Sequence, residues 1–150
     1  MDEVIRKKIL ALLDDHRIMT IATLRPDGWP QATTVGYAHE DLTLYFLCGP
    51  DSQKAMNLAH DDRVSLTIDH DTSNIMEIAG LSMAAHAKVV DEHDEVEKVL
   101  QLLMQRYSGQ GELPVQMPNP EDIRIFRVIP AVISVLDYSR GFGHTDLVTC

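Results

Sequence analysis

Residues 27–58 decide the fold, and they read DGWPQATTVGYAHEDLTLYFLCGPDSQKAMNL. The stretch contains two extended segments, a Gly-Pro loop and the start of a short helix at Ser52. A helix start offers backbone N–H groups without intrahelical partners and the positive end of the peptide dipole. With a hydroxyl at Ser52, an amide at Gln53 and an ammonium at Lys54, this helix start suits a phosphate monoester. The glycine pattern of a nucleotide P-loop is absent here.

The same helix start also has a purely structural interpretation. Serine is a frequent N-cap, because its hydroxyl accepts a hydrogen bond from the first turn of the helix. Ser52 would then only cap the helix, and Lys54 would be a solvated surface side chain. The surrounding sequence favours the phosphate site, because further features precede it in a defined order.

Those features are an extended segment at 18–24 (IMTIATL), a turn at 25–28 (RPDG), and extended segments at 29–37 and 42–48. Followed by the S-x-K helix, they resemble the FMN-binding split-barrel family related to pyridoxamine 5′-phosphate oxidase, over about residues 5–138. The resemblance implies an α+β fold, an antiparallel split β-barrel with peripheral helices, as one domain over residues 1–150. It also implies FMN as the cofactor and a homodimer with the flavin at the subunit interface.

The resemblance places cofactor contacts on two strands and one helix start, namely Thr33, Thr34, Val35, Gly36, Leu47, Cys48, Ser52, Gln53 and Lys54. The backbone of the first strand lies along the isoalloxazine ring in the family, and the end of the second strand faces the flavin. Thr33 and Gln53 stand where relatives often carry arginine, so each keeps hydrogen bonding and loses a charge. Gly36 would allow a flat ring to approach the backbone, or would mark a β-bulge.

The segment SRGFGHT at residues 139–145 supplies weaker candidates for the same site. In many proteins of the family, the C-terminal segment approaches the cofactor pocket of the partner subunit. Phe142 between two glycines could stack on a ring, and Arg140 and His144 could meet an anion. Removing residues 139–150 would then leave the fold and the dimer intact. The alternative is a poorly ordered terminus, which is the usual state of terminal residues.

Hydrophobic periodicity predicts the order of the secondary structure. Helices are predicted over 2–16, 52–60 and 92–107, strands near 18–24, 30–38, 42–48, 63–70, 75–81, 82–90, 123–129 and 131–138, and a loop over 108–120. Most of these strands follow one another without intervening helices, which disfavours a parallel βαβ array. The pattern instead favours a closed or half-closed antiparallel barrel.

Composition excludes several classes of function. The net charge of −10 opposes binding to nucleic acid or to anionic membranes, which require a basic face. No apolar run is long enough to span a bilayer, and the acidic N-terminus does not resemble a signal peptide, so a cytoplasmic location is expected. Two cysteines predict neither a disulfide framework nor a zinc site. The acidic clusters with histidine at 69–71 and 92–95 favour solvated element ends over metal sites.

The predicted function is that of an FMN-dependent oxidoreductase, with hydride transfer through the flavin to an unknown small substrate. No residue is an evident general acid or base, so no catalytic residue is assigned. Dedicated pyridoxamine-phosphate oxidase activity is disfavoured, because the tail lacks the basic motif that binds a second phosphate in those enzymes. Two alternatives remain open: a reductase that uses the deazaflavin F420, which the acidic charge opposes, and a non-enzymatic stress protein that binds flavin or haem.

Overall fold

The structure is a computed structural model that describes residues 1–107 and 119–150, so the predicted loop over 108–120 lies almost entirely outside the described residues. The described helices and strands are α1 (Glu3–Asp15), β1 (Ile18–Leu24), β2 (Pro30–Gly36), β3 (Ala38–Glu40), β4 (Thr43–Cys48), α2 (Gln53–His60), β5 (Arg63–Asp69), β6 (Ala79–Val90), α3 (His93–Tyr107), β7 (Arg124–Asp137) and β8 (Thr145–Thr149). Short 3₁₀ turns occupy Ile75–Glu77, Pro120–Asp122 and Tyr138–Arg140. None of the described helices has the length and apolarity to cross a membrane.

All strands belong to one antiparallel sheet in the order β2-β1-β5-β6-β7-β4-β3, with β8 paired to β7 outside this path. The long strand β7 pairs with β6 along one side, and with β4 and then β8 along the other. Although β2 and β4 are far apart in this order, their Cα atoms approach within 8 Å. The sheet therefore curls towards closure, and the predicted α+β split barrel is confirmed.

The concave side of the sheet holds the main core. Burial alternates along β1 and β5, as expected for strands with one face packed and one face open. The phenyl rings of Phe46 and Phe126 stack at a centroid distance of 5.3 Å inside this core. Helix α1 packs Ile9 and Leu13 against the same cluster, because these two side chains lie one helical turn apart on one face.

The centre of the opposite side of the same strands carries small side chains without charge. Cross-strand partners point to the same side of a sheet, so the pairings of β1, β5, β6 and β7 define one surface. This surface, the outer face, consists of Thr20, Ala22, Ser65, Thr67, Ser82, Ala84, Val132 and Ser134. The charged residues on the same side of the sheet, Arg63 and Asp69 on β5 and Lys88 on β6, flank this uncharged centre.

Two expected strand boundaries are wrong. Residues 75–77 form a 3₁₀ turn, and the two strands predicted near 75–81 and 82–90 are one strand, β6. Pro130 does not separate two strands but lies inside β7. Ala84 pairs with Val132 and Ala85 with Pro130, so Ala131 is an extra residue in β7. The bulge beside Pro130 allows the strand to continue past a residue that has no N–H to donate.

The C-terminus is a strand, so the expectation of a poorly ordered terminus is wrong. Residues Thr145–Thr149 form β8, which pairs with residues 132–136 of β7 and leaves Val148 only 8% exposed. The short alternating sequence TDLVT gives a weak strand signal, and a long-range pairing supplies the stability. Removing residues 139–150 would uncover this edge of β7, so that truncation is expected to disturb the fold.

Candidate functional site

The start of α2 is a capped helix end directly after β4. The Ser52 hydroxyl accepts a hydrogen bond from the Ala55 N–H at 3.2 Å and donates one to the Gly49 carbonyl at 2.7 Å. The capping interpretation of Ser52 is therefore confirmed. Because the hydroxyl proton is already donated within this turn, Ser52 positions the helix start and does not offer a free O–H group.

Lys54 is the free cation of this helix start. Its side chain is half-buried, and no residue in the described parts of the chain forms a hydrogen bond or an ion pair with it. The other half-buried lysine, Lys8, is paired with the Asp137 carboxylate at 3.1 Å. In a chain with a net charge of −10, an unpaired ammonium beside unpaired helix N–H groups marks a place for an anion.

Strand β2 lies at an edge of the sheet and presents its four candidate residues on two sides. Its pairing with β1 runs without interruption from Pro30 to Gly36, so the β-bulge considered for Gly36 is absent. Thr33 pairs with the buried Ile21 and lies on the inner side with Val35, whereas Thr34 and Gly36 lie on the outer side. The side of β2 away from β1 has no strand partner in the described sheet, so its backbone groups are available to a ligand.

The Thr33 hydroxyl has no partner in the described structure. Its Oγ1 atom is buried and makes no hydrogen bond with any described residue. A buried hydroxyl without a partner is unfavourable by about 1–3 kcal/mol. A buried hydroxyl without a partner at this position fits a ligand with hydrogen-bonding groups.

The space beside Gly36 is filled by the side chain of Tyr107 from α3, which leaves no room for a Cβ atom. A Cβ atom at Gly36 would lie 2.6 Å from the Tyr107 hydroxyl oxygen. That hydroxyl accepts a hydrogen bond from the Tyr37 N–H at 3.1 Å and donates to the Arg17 carbonyl. A tyrosine hydroxyl is protonated at neutral pH, and burial raises the pKa of Tyr107 further. On the side where a Cβ would point, the close approach predicted for a flat ring is therefore occupied by Tyr107.

Replacing Gly36 with alanine is expected to lower the free energy of unfolding by about 1–3 kcal/mol, because the added methyl group would overlap the Tyr107 hydroxyl. Urea denaturation of the ligand-free protein measures this effect. Gly49→Ala is the matched control, since a Cβ at Gly49 meets nothing within 4 Å, and we expect a change within about 0.5 kcal/mol. Equal stability of the two variants would contradict the role of Tyr107.

The end of β4 completes the candidate site. Strand β3 pairs only with Thr43–Tyr45, so the following residues of β4 have no strand on that side. Cys48 packs partly against the main core, and Leu47 packs against a second cluster beneath α3. The free edge of β2, the end of β4 and the start of α2 thus border one region, which we call the candidate site. The cavity of about 360 Å³ between Leu58 and Lys88 lies at the other end of α2, away from this region.

Two features of the site escaped sequence reasoning. Arg124 on β7 pairs in register with Cys48 and forms no ion pair with the described residues, so it adds a second cation near the end of β4. The buried Asn57 bonds α2 to the sheet. A polar residue between the buried Ala55 and Leu58 is a signal for Asn57 in the sequence, whereas the position of Arg124 depends on a long-range pairing that has no local signal.

The three tail candidates do not reach the candidate site of their own chain. Arg140 and His144 both contact the Asp146 carboxylate, at 3.7 and 3.4 Å. Phe142 is 73% exposed, with its ring 5.6 Å from that of Tyr138. They follow the end of β7 that is opposite to Arg124, and at about 3.3 Å per residue the two ends lie roughly 40 Å apart along the strand.

A group of possible metal ligands lies elsewhere. Ligand atoms of His93, Asp94 and Glu97 lie within 4.8 Å of one another at the start of α3, and all three residues are exposed. Carboxylates are favoured at a helix start by the dipole alone, so this group has a structural explanation.

Comparisons with known proteins agree with this architecture. The family described as pyridoxamine 5′-phosphate oxidase matches residues 5–137. General stress protein 26 of Bacillus subtilis is 25% identical over 124 residues, which cover 81% of this chain and 87% of that protein. A conserved hypothetical protein of Mycobacterium tuberculosis superposes with a TM-score of 0.77 at 25% identity, covering 97% of this chain and 91% of that one. The haem storage protein HutZ of Vibrio cholerae shares the fold, with a TM-score of 0.70, 18% identity and coverage of 95% and 92%.

Proposed function

Because the chain belongs to the pyridoxamine 5′-phosphate oxidase family, we propose that it is an FMN-binding flavoprotein that acts as an oxidoreductase on a small substrate. The unpaired Lys54 ammonium at the start of α2 carries this proposal, since it offers an acidic chain a local site for a phosphate. A flavin phosphate is an anion of suitable size for a helix start with a neighbouring cation.

The residues present fit this cofactor. The phosphate would be held by Lys54 and by the free N–H groups of the first turn of α2, and the Thr33 hydroxyl would bond to a cofactor oxygen. The unpaired backbone edge of β2 suits the polar rim of the isoalloxazine ring. When bound, the flavin would supply hydride transfer, while the protein binds and orients the ring and the substrate. None of the described residues at the site is an evident general acid or base.

Pyridoxamine phosphate is not the substrate that we propose. A second phosphate would need free cations on the tail, and both Arg140 and His144 are engaged with Asp146. The proposal therefore commits to the flavin and to a small substrate, without a second phosphate site.

We further propose that the protein is a homodimer with the flavin near the subunit interface. The outer face supports this, because surfaces exposed to water usually include charged residues, whereas interface centres are depleted in them. A two-fold axis would bring two copies of this same surface together. The flavin sites would then lie beside the interface, and the tail of one subunit could reach the site of the other.

The tail prediction is tested by Phe142→Ala. Because Phe142 is 73% exposed, its loss should leave the stability of the ligand-free protein within about 0.5 kcal/mol. If Phe142 packs over the partner's flavin, the variant should change the fluorescence of bound flavin and its rate of reduction. Val4→Ala, which removes a similarly exposed apolar side chain from α1, is the control. A Phe142→Ala variant with unchanged flavin fluorescence and reduction rate would exclude Phe142 from the site.

Haem binding is the second candidate function, and the likeness in fold to a haem storage protein favours it. The visible spectrum of the purified protein distinguishes the two, because oxidised flavin and haem absorb in different bands. Mass spectrometry of the released ligand then separates FMN from the deazaflavin F420. Anaerobic reduction of bound flavin by NAD(P)H, followed by turnover with an acceptor, would support an enzyme over a flavin-binding stress protein. A haem spectrum, with no flavin taken up on titration, would refute the flavoprotein proposal.

A further inference from the structure

Asn57 is a buried amide whose hydrogen bonds join three segments. The residue lies within α2 and is 0% exposed. Its Nδ2 donates to Thr23 Oγ1 on β1 at 3.0 Å and to Gln31 Oε1 on β2 at 3.4 Å. Its Oδ1 accepts from Gln53 Nε2 in the first turn of α2 at 2.8 Å. Both faces of the amide, donor and acceptor, are therefore in use.

These bonds are the polar part of an otherwise apolar contact. Thr23 and Asn57 are the buried polar residues of the described structure, and they bond to each other. Apolar side chains such as Ala55 and Leu58 hold α2 against the sheet but tolerate sliding, because the hydrophobic effect has no direction. Hydrogen bonds have narrow ranges of distance and angle, and a fully satisfied buried network selects one arrangement.

Two of the three hydrogen-bond partners of Asn57, Gln31 and Gln53, lie on segments that border the candidate site, namely β2 and the start of α2. Gln31 is on the inner side of β2, two residues before Thr33. Gln53 directly precedes Lys54 in the first turn of α2. The Asn57 amide therefore links the start of α2, which carries the unpaired Lys54 ammonium, to strand β2, which carries the unpaired Thr33 hydroxyl.

We propose that Asn57 is a positioning residue that sets the distance between the start of α2 and strand β2, and thereby the preference of the site for a flavin that carries a phosphate. This inference rests on the proposed function, since it assigns α2 to the phosphate and β2 to the rest of the flavin. Asn57 touches no ligand in this scheme. It acts through its hydrogen bonds to Gln53 in the first turn of α2 and to Gln31 on β2, which fix the positions of these two segments relative to each other.

The test compares FMN with riboflavin, which lacks the phosphate. The ligand-free full-length protein is titrated with each flavin, and binding is followed by quenching of flavin fluorescence. The wild type is expected to prefer FMN by roughly ten- to a hundredfold, as expected for one charge-assisted phosphate contact. Asn57→Ala and the shape-preserving Thr23→Val should each reduce this preference at least about fivefold, with riboflavin affinity unchanged within about twofold.

A control variant, a hydrogen-exchange measurement and two substitute variants make each outcome of the test decisive. Thr72→Val removes a threonine hydroxyl that bonds to Asn74 within an exposed loop, and this control should keep the wild-type preference. Hydrogen exchange of the ligand-free variants should be faster at the Ala55 and Met56 amides if the network holds α2. If Asn57→Ala does not fold, Thr23→Val and Gln31→Met carry the test, because each removes only one partner and keeps the side-chain volume.

A preference for FMN that persists in the folded variants would overturn the role of Asn57 and leave the proposed function standing. An equal loss of affinity for both flavins would also overturn it, because that result indicates general destabilisation. A wild type that binds both flavins equally would instead contradict the phosphate site itself, and this is visible before any variant is made.

Discussion

Replacing Lys54 with alanine is expected to weaken FMN binding by roughly ten- to a hundredfold, because a charge-assisted hydrogen bond contributes about 1.5–3 kcal/mol. The reason lies in the isolation of this ammonium: no described residue pairs with it, so its removal leaves no carboxylate unpaired and changes the protein little outside the site. Fluorescence titration of the ligand-free variant with FMN measures the loss.

Lys7→Ala is the matched control for this result. It removes the same charge from an exposed position on α1, next to Lys8, which pairs with Asp137 at the end of β7 opposite to Arg124. FMN affinity should stay within about twofold of the wild type. Lys54→Arg should retain much of the affinity, since the cation is kept. FMN affinity that does not change in Lys54→Ala would remove the phosphate role from α2 and with it the main support for the flavoprotein proposal.

Placing a charge on the outer face is expected to separate the proposed dimer. Ala84 lies on β6 between Ser65 and Val132, near the middle of this face. Ala84→Glu would bury a carboxylate in the interface, where the flanking Arg63 is already paired with Asp61. This burial is unfavourable by several kcal/mol, and the two-fold axis repeats it in the second subunit. We expect dimerisation to weaken more than about a hundredfold, and FMN binding to weaken with it.

Sedimentation at micromolar concentration measures the change, from about twice the chain mass of 16.8 kDa to the mass of one chain. Ala11→Glu is the control, because it adds the same charge to an exposed alanine on α1 and should leave both the dimer and FMN binding intact. A wild type that sediments as a monomer and still binds FMN would refute the shared-interface arrangement. A dimeric Ala84→Glu variant would place the interface on another surface.

The sequence predicted the helices and most of the strands because their signals are local. The cap at Ser52, the turn at residues 25–28 and the alternation along β1 and β5 depend on neighbours in the chain. The strand end predicted at Pro130 was wrong, because whether a proline ends a strand depends on how the partner strand pairs around it. A proline usually ends a strand, but the bulge at Ala131 accommodates it in the pairing with β6.

The candidate site was predicted in part for the same reason. The start of α2 is a local feature, so the sequence alone indicated Lys54 and its neighbours. The sequence also determined the acidic charge and the antiparallel fold class, because composition and periodicity carry both. Only the tertiary structure decided which residues meet across elements. Curling of the sheet brings β2 near β4, the bonds of Asn57 tie α2 to both β1 and β2, and Tyr107 fills the space at Gly36. These contacts join residues far apart in the chain, and their distances depend on the packing of the whole sheet, which no local pattern encodes.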